Sequence, residues 1–315
     1  MKKLSIIIPV YYEEKVINEC YSRIKNMLIT INNYCHEIIF VDDGSKDNTL
    51  SLLEKIAQKD NNVKILSFSR NFGHQAAVTA GLAHSTGDAV VIIDADLQDP
   101  PELIPEMLQL WEDGVEVVYA KRKLRQGESI FKLTTAKAFY RMLNTLSDTE
   151  IPKDTGDFRL VDKKVVDIIN SMPENNKFLR GLFSWVGFNQ IPFEYERKER
   201  FAGETKYPLK KMLKLALDGI ISFSSKPLKL SGLLGFLSIF VSILIMLYSL
   251  ASYIFKFNNL SPGWTSIMIT ITFFCGIQLL SIWIISEYIA RIYDDTKKRP
   301  QYIISKKINM DEKYE

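Results

Sequence analysis

The chain is poor in the residues that build redox and metal chemistry. Its three cysteines, Cys20, Cys35 and Cys275, are scattered over 315 residues, odd in number and not at ligand spacing. That pattern excludes a disulfide framework and a zinc site, and it fits a reducing compartment. Three histidines, His36, His74 and His84, lack a second histidine or cysteine at metal-binding spacing, so none is expected to hold a metal. No Gly-x-Gly-x-x-Gly or Walker sequence follows the first apolar run, which disfavours nicotinamide cofactors and P-loop hydrolysis. A formal net charge of +3 is too small to mark a nucleic-acid binder. Internal repeats and low-complexity tracts are also missing. Leu4 to Val10 is too short for a cleavable signal and runs directly into acidic residues.

Charge is absent from two long stretches, Leu233 to Phe255 and Thr265 to Ile285. A helix of about 20 residues crosses the roughly 30 Å hydrocarbon layer, so two membrane spans are expected. Lys226 and Lys229 precede the first, while Lys297, Lys298, Arg299, Lys306 and Lys307 follow the second; the connector carries only Lys256. The positive-inside rule then places both termini and the N-terminal part in the cytoplasm, with Lys256 to Gly263 outside. Tyr248, Tyr253 and Trp264 are candidate interface anchors. The basic residues gather near the membrane, which points to anionic lipid rather than nucleic acid.

Short β-branched runs at Leu4 to Ile8, Glu37 to Val41, Val63 to Ser67, Ala89 to Asp94 and Val115 to Tyr119 read as strands. Helical patterns at Glu13 to Ile31, Asn48 to Lys59 and Gln75 to His84 separate them, which predicts an α/β domain with a mostly parallel sheet covered on both faces. Right-handed crossovers place the strand C-termini on one edge, where open α/β sheets bind ligands. Beyond about residue 122 the alternation fades. Amphipathic basic helices are predicted over Ile130 to Leu146 and Leu209 to Phe223, the second lying in the membrane interface.

Chemistry-bearing residues follow the strands. Asp94-Ala95-Asp96-Leu97-Gln98 ends the fourth run, and extended chain would project positions i, i+2 and i+4 to one side. Two carboxylates and an amide oxygen suit Mg²⁺ or Mn²⁺, which take their remaining ligands from substrate phosphates and water. Asp42 follows the second strand and is placed to accept hydrogen bonds from a ribose or base, as acidic residues do in dinucleotide sites. Ser45 or Asp47 can cap the helix beyond. Pro9, Tyr11 and Glu13 can frame a base.

Four segments, Ile6 to Glu14, Val41 to Thr49, Arg70 to Gln75 and Asp94 to Glu102, together resemble glycosyltransferase family 2. Thr155 to Leu160, Arg180 to Phe188 and Arg200 to Tyr207 resemble, more narrowly, the polyprenyl-phosphate glycosyltransferases, which include bactoprenol-phosphate glucosyltransferases and dolichol-phosphate mannose synthases. The resemblance covers nearly the whole chain and implies a GT-A, Rossmann-like fold. It implies a cation on Asp96 and Gln98, with Asp94 nearer the ribose and Ala95 beside it. By the same resemblance Pro9, Tyr11, Glu13 and Asp42 bind the nucleotide, and Arg200 with Lys206 closes over the diphosphate. Arg122, with Arg125 near it, meets the acceptor phosphate, the alternative being a solvated basic turn with Lys121. Asp157 matches a proposed catalytic base; its alternative is a loop carboxylate paired with Arg159. Arg180 and Trp185 have no role beyond helix packing.

The organisation expected is a cytoplasmic GT-A domain at 1–206, an interfacial segment at 207–229, two transmembrane helices within 230–290 and a basic cytoplasmic tail at 291–315. The activity implied is inverting transfer from a nucleotide diphosphate sugar, UDP-glucose first, to undecaprenyl phosphate, by a homo-oligomer. UDP-N-acetylglucosamine is the alternative donor, and an inert membrane-anchored nucleotide-sugar sensor is the alternative class. The acceptor motif of processive relatives, Gln-x-x-Arg-Trp, is absent.

Overall fold

A computed structural model describes residues 1–123, 152, 155–174, 177–196, 226–255 and 263–310. The predicted helix at 130–146, most of the segment at 207–229, the connector carrying Lys256, Arg125, Arg200 and Lys206, and the side chains of Tyr253 and Trp264 lie outside the described residues.

The chain opens with β1 (Lys2–Val10), α1 (Ile17–Ile29), β2 (Tyr34–Asp42), α2 (Thr49–Ala57), β3 (Val63–Phe68), α3 (His74–His84) and β4 (Ala89–Ile92). A 3-10 turn at Pro101–Leu103 leads into α4 (Ile104–Glu112) and β5 (Val117–Arg122). Then come β6 (Thr155–Asp162), α5 (Lys163–Ser171), α6 (Leu179–Trp185), β7 (Gln190–Tyr195), α7 (Lys226–Phe255), α8 (Trp264–Thr296) and β8 (Ile304–Ile308). All eight strands form one sheet in the order β7-β5-β6-β4-β1-β2-β3-β8.

Parallel pairing joins β1 to β2 and β4, β2 to β3, and β5 to β7, as the β-α alternation requires. The sheet is nevertheless mixed, because β6 runs antiparallel to β4 and β5, and β8 antiparallel to β3. Period-2 geometry sends Leu4, Ile6 and Ile8 of β1 into the core shared with α1, α2 and α4, while Ile7 faces α3. Pro9 lies inside β1, opposite Val41, rather than ending it. Ile7 accepts from Ile93 N on the β4 side, and Pro9 faces that same side one pleat beyond the last β1–β4 pair, Ile7 with Ile92. Its missing N–H therefore costs no ladder bond.

Helix α3 is covered all round: Ala76 through Leu82 are buried, as expected for a helix without a polar face. Its approach to β1 depends on Gly81, where an added Cβ would stand 2.3 Å from Ile7 Cγ2. At the sheet's lower edge, away from the C-termini of the parallel strands, Glu37 is 1% exposed. It accepts from Ser5 Oγ, Lys64 Nζ and Thr86 N at 2.5, 2.7 and 2.7 Å. Burial would raise its pKa, but Lys64, Ser5, Thr86 and Lys3 hold it down at about 2.

The basic tail contains an unexpected strand. After α8, Tyr302 stacks on Phe68 with ring centroids 5.1 Å apart, and β8 covers the open edge of β3 from Phe68 with Ile304 to Ile65 with Ile308. Ser305 Oγ donates to Ser67 O at 3.0 Å, Lys306 pairs with Glu54 at 2.7 Å, and Asn309 Nδ2 donates to the carbonyls of Ala57 and Val63 at 2.9 Å. Only three β-branched residues, Ile303, Ile304 and Ile308, stand among the lysines there, too few for a sequence signal.

The described residues fall into two compact units, one holding 1–123, 155–196 and 299–310 and the other 226–298. In the second, α7 and α8 are long and apolar enough to cross a membrane. Leu233, Phe236, Phe240 and Leu247 are all more than half exposed, an arrangement that water disfavours and lipid permits. Ser238 and Ser242 return their hydroxyls to the carbonyls of Leu234 and Ser238, which satisfies those two donors within the helix. Tyr248 is 70% exposed.

Gly81→Ala is expected to destabilise the protein. Overpacking against a branched side chain in a central strand costs about 1–3 kcal/mol, more than the helix-propensity gain of about 1 kcal/mol. A thermal melt should show a lower Tm, and an unchanged or higher one would contradict the packing described.

Candidate active site

The C-terminal ends of β1, β2 and β4 converge on one edge. After β2, Asp42 is fully buried, its carboxylate accepting from Ser45 N at 3.1 Å and Ser67 Oγ at 2.9 Å. It was expected to face a ligand, and in the structure its two oxygens also close the turn at Ser45 and hold Ser67. That turn needs Gly44, whose φ is +72° and whose added Cβ would lie 2.5 Å from the Arg70 carbonyl carbon. The neighbouring Asp43 accepts from Phe72 N, Gly73 N and Asn71 Nδ2 at 2.6, 3.0 and 2.8 Å and so fixes the chain entering α3. Burial raises its pKa, against the pull of those two backbone donors.

Beyond β1, Tyr12 sits at φ +54° and donates its N–H to Ser45 Oγ at 3.0 Å, while Glu13 N donates to Thr49 Oγ1 at 3.0 Å. Asp47 accepts from Thr49 N at 3.1 Å at the start of α2. Tyr11 and Glu13 are half-buried at this corner and Pro9 is buried. The Tyr11 and Tyr12 rings meet edge-on, 4.4 Å between centroids. Burial and the Tyr12 hydroxyl raise the Tyr11 pKa.

The Asp-x-Asp-x-Gln segment lies in a turn after β4, which ends at Ile92, and not in extended chain. Leu97 adopts φ +60°. The alternation survives in burial: Ala95, Leu97 and Asp99 are 3%, 4% and 1% exposed, and Asp94, Asp96 and Gln98 between them are half-buried and face outward. Gln98 N donates to Asp96 Oδ1 at 3.1 Å, which fixes the turn. Burial, then the nearby Asp157, Asp99 and Asp96, raises Asp94 to about 6, with the positive charge of His74 acting against. Carboxylates crowded this way, beside an outward amide, fit a divalent cation. Among the described residues no three His, Cys, Asp or Glu side chains form a complete metal cage, so substrate oxygens or water would supply the remaining ligands.

The sheet's second half brings Asp157 to this edge on strand β6 rather than in a loop. Its carboxylate, 11% exposed, accepts from Arg180 Nε at 2.7 Å, Arg180 Nη2 at 3.0 Å and His74 Nε2 at 3.1 Å. His74 also lies 3.6 Å from Asp94. The alternative pairing with Arg159 does not form: Arg159 donates to the carbonyls of Asp157 and Gly156 at 3.3 and 3.0 Å and lies 4.4 Å over the Phe183 ring. Burial lowers its pKa to about 10. Burial alone would raise Asp157, but Arg180 and His74 hold it well below the usual carboxylate range. Burial likewise opposes the His74 cation, yet Asp94 and Asp157 outweigh it and raise that imidazole to about 9.

Arg122 ends β5 beside the same strand, its Nη2 3.4 Å from where a Cβ on Gly156 would stand. The Tyr195 hydroxyl donates to buried Asp99, and Arg122 flanks the same hydroxyl, so the guanidinium belongs to a built cluster and not to a solvated turn. His74, Asp43, Asp99, Arg180 and Tyr195 were not expected here. His74 and Arg180 stood inside the segments carrying the resemblance and Asp43 beside Asp42, but no spacing in the sequence linked them; Tyr195 gave no signal.

Residues 5–169 match the family model described as Glycosyl transferase family 2. The chain is similar to Uncharacterized glycosyltransferase YkcC of Bacillus subtilis, 52% identical over 98% of this chain and 95% of that protein. It is similar to the Bactoprenol glucosyl transferase of Shigella phage SfII, 42% identical over 96% of this chain and 98% of that protein. Among solved structures it is similar to glucosyl-3-phosphoglycerate synthase from Mycobacterium tuberculosis, crystallised with Mn²⁺, uridine diphosphate and phosphoglyceric acid, with TM-score 0.49, 17% identity, and 70% of this chain and 76% of that chain covered. Sheet, motif order and relatives define a glycosyltransferase of the GT-A class. The chain belongs to glycosyl transferase family 2.

The His74 shift fixes a sign. Its folded pKa of about 9 exceeds the ordinary 6.5, so its contribution to stability is complete below about pH 6.5 and is lost as pH rises through about 9. The stability difference between the native protein and His74→Gln should shrink over that interval in thermal melts. Nitrogen-15 NMR of histidine-labelled protein should find the His74 ring doubly protonated at pH 7.5; a neutral ring would contradict the geometry.

Proposed function

We propose that this protein moves a hexose, glucose from UDP-glucose in the first instance, onto a polyprenyl phosphate, undecaprenyl phosphate being the expected acceptor, with inversion at the anomeric carbon. The observation that carries this reading is the likeness over 96% of the chain to proteins named Bactoprenol glucosyl transferase. The site supports it, since Asp94 after β4 and Asp157 on β6 meet the fixed cations His74 and Arg180 at the starts of two helices.

An oxygen of the lipid phosphate attacks the anomeric carbon. The bond from that carbon to the donor's terminal phosphate oxygen breaks, and its electron pair leaves on the nucleotide diphosphate. Asp96 and Gln98 would hold Mg²⁺ or Mn²⁺, which when bound supplies positive charge where the departing diphosphate gains negative charge. Arg200 and Lys206 would close on the same diphosphate. Pro9, Tyr11, Glu13 and Asp42 frame the nucleotide, with Asp94 and Ala95 beside the ribose. Arg122 and Arg125 meet the acceptor phosphate. A phosphate monoester with a second pKa near 6 is already mostly dianionic at neutral pH, so little proton removal is required.

In this reading α7 and α8 span the membrane, and the catalytic unit and both termini lie on the cytoplasmic side. Pairing of β8 with β3 supports that topology, because the chain between them must cross an even number of times. The assembly is a homo-oligomer, and its lipid-linked sugar serves a later reaction across the membrane.

Purified full-length protein incubated with Mg²⁺, radiolabelled UDP-sugars and undecaprenyl phosphate should move label into the organic phase, most with UDP-glucose. Asp96→Ala is expected to reduce the rate by about 10²- to 10³-fold. Sugar-nucleotide binding without label transfer from any donor would replace the enzyme with an inert sensor, and full activity of Asp96→Ala would remove the cation from Asp96.

A further inference from the structure

Asp94, His74, Asp157 and Arg180 form a row of alternating charge. His74 Nε2 joins Asp94 Oδ1 to Asp157 Oδ2 at 3.6 and 3.1 Å, and Arg180 ends the row, its Nε donating to Asp157 Oδ1 at 2.7 Å and its Nη2 sharing Oδ2 with His74 at 3.0 Å. We propose that Arg180 receives the phosphate of the lipid acceptor and that Asp157 is its positioning residue, orienting the guanidinium instead of removing a proton. This rests on the transfer reaction proposed above and names a further binding residue within it.

The order of the row sets the assignment. The cation and the donor diphosphate belong at Asp96 and Gln98, beside Asp94, and Arg180 lies beyond the His74 Nε2 atom and the Asp157 carboxylate from Asp94. A sugar lying along His74 and Asp157 would then separate the two phosphates, as in-line displacement requires. Exposure agrees with the division of labour: the Asp157 side chain is 11% accessible and the Arg180 side chain 26%. The carboxylate is hidden behind the cations it holds. A base that must meet an acceptor oxygen would show the reverse.

Neighbouring residues shape the same place for an anion. Arg122 lies beside Gly156, one position before Asp157, where an added Cβ would stand 3.4 Å from its Nη2. Arginine therefore approaches this piece of β6 from two elements, β5 and α6, and glycine leaves the backbone between them bare. Guanidinium groups bind phosphate oxygens through paired N–H donors in a fixed plane. The plane of Arg180 is set by Asp157, and its helix is tied down by Leu179 N donating to Gln75 Oε1 at 3.0 Å. If the Arg180–Asp157 pair only braced α6 against β6, its loss would lower stability without discriminating between the two substrates.

The experiment compares full-length protein, Arg180→Lys, Arg180→Gln, and the neutral double variant Asp157→Asn/Arg180→Gln, which leaves no buried charge unpaired and guards against misfolding. Two quantities are read for each: KM with direct binding affinity for undecaprenyl phosphate, and the same pair for the UDP-sugar. Both Gln variants should weaken acceptor binding roughly 10- to 100-fold, the range for hydrogen bonds to a charged group, with donor binding changed by less than about threefold. Arg180→Lys should fall between. Asp157→Asn alone should raise the acceptor KM more than it lowers kcat. Acceptor KM and affinity unchanged in the Arg180 variants, or a kcat collapse at constant KM in Asp157→Asn, would overturn the assignment. If the native protein transfers no sugar yet binds the lipid phosphate in an Arg180-dependent way, the transfer reading falls and this one stands. Binding that ignores Arg180 sinks this one alone, and an absence of binding sinks both.

Discussion

The buried carboxylate of Asp157 is the point on which the two halves of the catalytic sheet depend. The first half, β1 to β4, carries the acidic turn and the start of α3; the second, β5 to β7, arrives antiparallel through β6. His74 reaches Asp157 from one half and Arg180 from the other, so a single side chain fixes the relative placement of two helix starts and the acidic turn. Low dielectric makes the arrangement all-or-none. A carboxylate this deep is tolerated only when its charge is matched and its lone pairs are filled, and removing either cation leaves a charge that burial penalises.

A second buried carboxylate, Glu37, plays a plainer part at the opposite edge. It gathers donors from β1, β3 and the loop before β4, and the partly exposed Lys3 and Lys64 match its charge. The contrast between the two edges is instructive. Both hold an ionised acid inside the protein matched by partly exposed cations, but only at the C-terminal edge do further carboxylates, Asp94 and Asp96, stand beside it. Open sheets concentrate chemistry at that edge because parallel strands deliver their loops and helix starts there together.

Much of the first half was legible because local physics decides it. Near-continuous apolar runs of four to nine residues, separated by helical periods, admit little but parallel strands between helices, and β1 to β4 fall where the pattern put them. The acidic turn was legible in content but not in conformation: its alternation of outward and inward residues looked like a strand and is delivered by a turn with Leu97 at positive φ. The second half was less legible. β6 and β7 follow no strand-helix rhythm and take their places through pairings with strands far away in sequence. Charge pairing was the least visible of all. Asp157 stands near Arg159 in sequence, and proximity along the chain offered that partner as the alternative reading. A strand, however, sends neighbours two apart to the same face with their heads displaced along it, and Arg159 turns back to carbonyls beneath Phe183. Its true partners lie 83 and 23 residues away.

Strand β8 has a consequence for anyone who would work with the catalytic unit alone. Residues that follow the two apolar helices complete the sheet, so a polypeptide stopped before those helices lacks its last strand. The N–H and C=O groups along β3 would then lie open beside Phe68, which loses the Tyr302 ring stacked on it. An uncapped edge of that kind recruits other strands. A shortened, detergent-free version of this protein is therefore expected to clump edge to edge unless the segment from about residue 299 onward is spliced back or supplied as a separate peptide.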